Sequence, residues 1–276
     1  EKGFANNEMR RTDAAKADFT KALELDPQNE TVIKELTTIY FNYRQYQQAL
    51  DMAQKCKTCI DKDRIIALCY FNMEDFGKAE KLLLALVNKN PEDAELTYTL
   101  ASNYLAMGFE PKAITWYEKA VLVDASKSKW FFELGLLYSN TNNYKKAVIA
   151  YNKAAELGFI KGNDFNENLG FAYIYSSDFD NGARLLDDLI SRRPGDKELI
   201  RDVATAFYDS KNYDKSLDYC QKLLEMDMKD GKALYQAGLC FQKKGMTEKG
   251  MQMCDKAIEM DPSLASLRSK KSLPGM

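Results

Sequence analysis

Apolar side chains recur along this chain at the three-and-four spacing of amphipathic helices. Small residues sit between paired amphipathic runs at near-constant intervals. Ala15, Ala49, Ala79, Ala113, Ala147, Gly182, Ser216 and Gly250 follow one another at steps of 34, 30, 34, 34, 35, 34 and 34 residues. With these as position 0, position −9 holds Tyr40, Tyr70, Tyr104, Tyr138, Tyr173, Phe207 and Phe241, all aromatic. Position −12 holds Gly3, Thr37, Ala67, Ala101, Gly135, Gly170, Ala204 and Gly238, nearly all small. Position −13 is aliphatic or Ala, from Leu36 to Ala237. Positions −13, −9 and −6 form one buried stripe on a first helix. Positions 0, +4 (Phe19, Leu83, Tyr117, Tyr151, Leu186) and +7 form another on a second helix. The small residues at −12 and 0 let the two helices approach closely.

Pro27, Pro91, Pro194 and Pro262 share position +12. There they are expected to open the next helix, where the missing N–H costs nothing. Asn90-Pro91-Glu92-Asp93 reads as a capping Asn, a Pro and then acids in the first turn.

At these residues the sequence resembles the tetratricopeptide repeat family, whose unit is a 34-residue helix–turn–helix with a small/aromatic/Ala/Pro signature. The resemblance covers roughly residues 1 to 264, although tryptophan is missing from the usual early position. It implies an all-α, right-handed α-solenoid of about eight stacked units, about seven complete and one partial at the N-terminus, with a concave face. The expected units are 1–29, 30–59, 60–93, 94–127, 128–162, 163–196, 197–230 and 231–264, followed by a short polar cap and tail over 265–276 ending in Leu273-Pro274-Gly275-Met276. Gly3 already stands at −12, so the first helix is entered part-way. Either a removed signal peptide or a longer array would account for that.

Two steps depart from the period. The 30-residue step lacks about one helical turn, expected around residues 56–63. The 35-residue step is bracketed by Gly158 and Gly162, where a longer loop between repeats is expected.

Composition narrows the function. The chain has 276 residues, 39 basic against 41 acidic side chains and no histidine. That balance gives no electrostatic footprint for nucleic acid, and the missing histidine removes the commonest general base and zinc ligand. No apolar run is long enough to span a membrane. No phosphate-cradling loop, nucleophile elbow or metal-binding helix pair occurs. The reading is therefore a non-enzyme without cofactor, metal or catalytic residues.

Six cysteines are present: Cys56, Cys59, Cys69, Cys220, Cys240 and Cys254. Cys56 falls at +7 and Cys220 and Cys254 at +4, so core packing is the expected role. A redox or metal role for Cys56-x-x-Cys59 is the alternative. Buried free thiols favour a reducing cytoplasm, with an exported or periplasmic chain as the alternative.

In the resembled family the first helix of each unit lines the concave surface, at positions −15, −11, −8 and −7. These positions give a peptide-binding groove of Lys34, Phe41, Asn42, Arg64, Phe71, Asn72, Tyr98, Phe132, Asn140, Phe171, Tyr175, Arg201, Tyr208 and Tyr235. Aromatic side chains left on one face mark a binding surface, and the Asn column at −7 offers paired donors and acceptors to an extended backbone. The alternative is that several of these rings complete the core. The family's chaperone-tail clamp does not match, because Thr38 and Leu68 follow Lys34 and Arg64. The asparagine ladder of its sugar-transferase arrays is absent too. The expected partner is a peptide segment of another protein, bound mainly by apolar burial. A self-associating array, an interaction module of a larger protein, or a groove for a glycan or small ligand are the alternatives.

Overall fold

The computed structural model describes residues 1–269. The expected tail beyond, residues 270–276, lies outside the described residues. Helices alternate with short turns: α1 (Lys2–Glu8), α2 (Thr12–Leu25), α3 (Glu30–Asn42), α4 (Tyr46–Lys55), α5 (Lys62–Asn72), α6 (Phe76–Lys89), α7 (Ala94–Ala106), α8 (Glu110–Val123), α9 (Ser128–Asn140), α10 (Tyr144–Glu156), α11 (Asn163–Tyr175), α12 (Phe179–Arg192), α13 (Lys197–Asp209), α14 (Tyr213–Met226), α15 (Gly231–Lys243) and α16 (Thr247–Met260). A 3-10 turn (Pro262–Leu264) and α17 (Ala265–Ser269) follow, and no strand occurs among the described residues.

The chain parts into two compact units, Glu1–Trp130 and Phe131–Met276. In the first, α1/α2, α3/α4, α5/α6 and α7/α8 pack as hairpins, and each second helix packs on the first helix of the next hairpin. In the second, α11/α12, α13/α14 and α15/α16 do the same, and α11 also touches α13, and α13 touches α15. The fold is an all-α solenoid of repeated hairpins.

The small-residue register places the helices. Every residue at −12 and at 0 is buried. A Cβ at Gly250 would collide with the Gly238 carbonyl oxygen, so these two backbones touch without side chains between them. Where Ser216 replaces glycine, its Oγ donates to the Ala204 carbonyl at 2.7 Å across the same contact. The −9 aromatics are less uniform than the pattern predicts. Tyr104, Tyr138 and Phe207 are buried, but Tyr40, Tyr70, Tyr173 and Phe241 are only half-buried. The neighbouring −10 column (Ile39, Cys69, Asn103, Leu137, Ala172, Ala206, Cys240) is buried throughout. The −9 rings sit near the hairpin edge, where a lysine at −1 covers four of them. Lys78, Lys112, Lys146 and Lys249 lie 5.0, 4.9, 5.1 and 3.7 Å from the ring centres of Tyr70, Tyr104, Tyr138 and Phe241.

The hairpin turn also repeats. Position −5 has positive φ in all eight units: Arg10, Arg44, Glu74, Gly108, Asn142, Ser177, Lys211 and Gly245. The next N–H then donates back to the carbonyl of the −9 residue, as from Gln45 to Tyr40 (2.8 Å) and from Asn212 to Phe207 (2.8 Å). This closes the first helix by the left-handed C-terminal motif.

Turns between repeats correct the proline expectation. Asp93, not Asn90, caps α7, with its Oδ1 accepting from Leu96 N at 3.0 Å. Asn90 instead ends α6, and Pro91 lies in the turn. Pro27 and Pro194 likewise precede their helices, and only Pro262 opens one, the 3-10 turn. Proline just past a helix end blocks its continuation, which is what these turns use.

Both irregular steps are local. After α10, the loop of residues 157–162 contains Gly158 at φ +84°. The short step shortens α4 to 10 residues, against 14 for α2, α6, α8, α12, α14 and α16. Here the expectation that Cys56 and Cys59 merely pack is corrected, because they form a disulfide. Cys56 is fully buried as predicted, but Cys59 is half-exposed in the turn that replaces the lost helical residues. Cys69, Cys220, Cys240 and Cys254 are buried free thiols.

Candidate interaction surface

The fourteen groove positions fall into four groups. Lys34, Asn42 and Asn140 are exposed along α3 and at the ends of α3 and α9. Asn72 is exposed too, but its Nδ2 donates to the Leu68 carbonyl of its own helix at 2.7 Å. That bond takes up a donor an extended peptide would have used.

A second group pairs at the hairpin edge. Phe41 meets Tyr46 edge-on at 5.8 Å, Phe71 meets Phe76 at 6.2 Å, and Tyr208 meets Tyr213 at 5.5 Å. Each pair joins position −8 of the first helix to −3 of the second. Tyr175 at −7 stacks on Tyr144 at 4.7 Å. All four remain half-buried. Phe171, on the same helix as Tyr175, is half-buried against the core of the second unit.

The third group fills the space between repeats. Tyr98 stacks on Trp130 at 4.7 Å and meets Tyr117 edge-on at 5.5 Å. Phe132 stacks on Phe159 and Phe165 at 4.5 and 5.8 Å. Tyr235 is 6% exposed and packs with Cys254, Ala257 and Leu264. Its assignment to the groove is corrected: it is a core residue. Trp130 and Phe165, which stack on Tyr98 and Phe132, stand at −17, a column outside the predicted stripes. Val32, Leu96, Trp130, Phe165, Leu199 and Ala233 are all buried there. The signal was present, since apolar residues recur at that column in every regular unit.

Two arginines at −15 also meet fixed partners. Arg64 pairs with Asp93, and Arg201 reaches Asp230 with NH1–Oδ1 at 3.2 Å and NH2–Oδ2 at 3.1 Å. In both cases the acid is the N-cap of the next repeat's first helix. These arginines therefore clamp successive repeats.

On α11 and α13 acids outnumber bases. Asp202 is pushed above the ordinary carboxylate value by desolvation, then by the charges of Glu198 and Glu167. Burial raises the Tyr175 and Tyr208 hydroxyls as well, with Asp209 adding to both. A cation placed there would relieve this mutual repulsion. Among the described residues no group of three or more Cys, Asp or Glu is arranged to hold a metal ion, and no helix is long and apolar enough to cross a membrane.

Family models described as tetratricopeptide repeat match residues 168–231 and residues 1–29, 131–157 and 231–264, together more than half of the chain. Among curated proteins, the human protein O-mannosyl-transferase TMTC1 is 28% identical over 133 residues, which is 48% of this chain and 15% of that protein. The bovine BBSome complex member BBS4 is 22% identical over 232 residues, 80% of this chain and 43% of that protein. The chain thus spans less than half the length of these relatives. Among solved structures, the C-terminal part of a TPR repeat-containing protein from Cytophaga hutchinsonii gives a TM-score of 0.61 at 16% identity, covering 85% of this chain and 97% of that one. That likeness is one of fold. With the in-phase hairpins, the small-residue contacts and the matching models together, the chain belongs to the tetratricopeptide repeat family.

Proposed function

We propose that this chain is a non-enzymatic interaction scaffold that holds a peptide segment of a partner protein along the first helices of its second unit. Repeats of this family generally serve as protein-interaction scaffolds. The finer reading rests on one observation: half-buried Phe171, Tyr175 and Tyr208 lie on α11 and α13, which touch each other, beside the crowded carboxylates at Asp202 and Asp209. Half-burial leaves each ring an apolar edge, and the acids favour a cation. The segment that fits is extended, carries Lys or Arg, and presents an aliphatic or aromatic residue. Tyr98, Phe132 and Tyr235 are packed, so less apolar area is offered than the sequence implied and charge carries more of the binding.

The test is fluorescence anisotropy with short labelled peptides, one set basic and one acidic, against wild type and Asp202→Lys/Asp209→Lys. The reading expects basic peptides to bind, the variant to lose roughly tenfold or more in affinity, and salt to weaken binding over the range in which exposed charges are screened. Equal binding of basic and acidic sets, or a variant as good as wild type, would remove the acidic face as the site.

A further inference from the structure

At the short step, three devices do the work of a missing helical turn. The first is the Cys56–Cys59 disulfide itself. The second is Glu30, in the first turn of α3, whose Oε2 accepts from Lys57 N (2.9 Å), Thr58 N (3.0 Å) and Thr58 Oγ1 (3.0 Å) and lies 3.4 Å from Cys56 Sγ. Thr58 N–H, then Lys57 N–H, hold the Glu30 carboxyl below its ordinary value. The third is Lys62, whose Nζ donates to the carbonyls of Gln54 (3.1 Å) and Cys56 (2.9 Å) and so closes the C-terminal end of α4. Lys62 stands at −17 of its unit, where every regular unit has a buried apolar side chain. The junction has given up a core contact and a side-chain N-cap on α5, since Asp61 makes none. It relies on the cross-link instead.

We propose that Cys56–Cys59 is a reversible thiol–disulfide site that pins the 56–61 junction when oxidised and frees it when reduced. The reductant is a dithiol, either a small molecule or a dithiol protein. Its thiolate attacks the half-exposed Cys59 Sγ, because Cys56 is fully buried. An S–S bond forms to Cys59, the Cys56–Cys59 bond breaks, and Cys56 leaves with the electron pair and takes a proton. The reductant's second thiolate then displaces Cys59, which is protonated in turn. Two electrons and two protons have entered the chain, and the reductant departs as its own disulfide. The Glu30 carboxylate beside Cys56 opposes negative charge on the leaving sulfur, so it retards reduction. Without the cross-link, Lys57 and Thr58 are held by hydrogen bonds to one half-buried carboxylate and by the Lys57 Nζ bond to Gln28 Oε1 at 2.9 Å.

The experiment uses the whole chain with dithiothreitol as the probe. Alkylation under denaturing conditions with intact-mass analysis counts thiols across a titration, and amide hydrogen exchange is followed in both states. The proposal expects the free thiols to rise from four to six while helical circular dichroism persists. It also expects exchange across residues 46–66 to accelerate by about tenfold or more, with residues 197–243 unchanged, because local opening is separable from global unfolding. Cys56→Ser/Cys59→Ser should show the reduced pattern without reductant, and Glu30→Gln should be reduced faster than wild type. Three results overturn the proposal: a bond that excess dithiol leaves intact in the folded chain, reduction without any change in exchange, or reduction that unfolds residues 197–243 as well.

Discussion

Two junctions between repeats solve the same problem differently. After α14, Asp227 ends the helix and accepts from Lys229 N at 3.0 Å, and Asp230 caps α15 by accepting from Ala233 N at 2.9 Å. Four residues suffice, and the turn supplies the side-chain cap of α15 itself. After α4, no local cap serves α5, and the turn is held by Glu30 of α3, by Lys62 and by the disulfide. The first junction carries its caps in adjacent residues and is clamped from the preceding repeat by Arg201 on Asp230 and Lys197 on Asp227. The second has no cap of its own and relies on Glu30, Lys62 and a cross-link open to reductant. On the proposal above, the regular junction keeps its hold in reductant and the shortened one loosens.

The largest expected effect breaks the regular junction. Asp230→Ala removes both the α15 cap and the partner of Arg201, whose side chain is only 21% exposed. A largely buried guanidinium left with only Glu198, at 3.7 Å, and a lost cap together should cost about 3 kcal/mol in urea unfolding. Desolvation works against the Asp230 anion, but Arg201 and the Ala233 N–H outweigh it and hold its pKa below the ordinary value. Its contribution is complete above the unfolded carboxylate value near 4 and disappears as pH falls through the lower folded one. Asp230→Ala and wild type should therefore converge in stability under acid.

Next comes the stapled junction. Cys56→Ser/Cys59→Ser should cost about 2 kcal/mol by releasing a short loop in the unfolded chain, and addition of dithiol should make no further difference to the variant. Lys62→Met should cost about 1 kcal/mol through the two helix-end carbonyls it leaves. Combined with the serine pair, its effect should be less than additive, since both changes free the same segment. Full additivity would mean that the disulfide and the lysine hold different things.

How much of this was legible in the sequence follows from which forces leave periodic marks. Helix–helix contact does: Ala79, Gly182 and Gly250 sit where backbones meet, and the missing turn was placed at residues 56–63 from spacing alone. The groove was harder, because an aromatic ring at −15 or −8 satisfies the same pattern whether it faces water or a neighbouring ring. Phe132 and Tyr98 found partners from the adjacent repeat, and only the −17 column could have signalled that. The helix starts were misplaced because Asn90 and Asp93 are both good caps, and the choice depends on where α6 ends. The disulfide left a Cys-x-x-Cys spacing but no periodic sign, since it compensates for a deletion unique to one unit.

The smallest expected effect asks whether the contrast is confined to the junctions. Within the hairpins the two regions are built alike. Glu74 and Lys211 have φ of +62° and +63°, and the N–H that follows each donates to Tyr70 O at 2.9 Å and Phe207 O at 2.8 Å. A residue with a Cβ pays roughly 1–2 kcal/mol to stand in that left-handed conformation. Glycine avoids the cost but loses more backbone entropy on folding, which returns part of the gain. Both side chains are exposed, so little packing is lost. Glu74→Gly and Lys211→Gly should then each stabilise the chain by about 0.5 kcal/mol, read as a small rise in the midpoint of urea unfolding. Equal gains would place the difference between the two regions wholly in the junctions. A gain at Lys211 with none at Glu74 would mean that the loosened junction has already relaxed its neighbouring hairpin, and the boundary of the responsive segment would move from residue 66 to beyond residue 75.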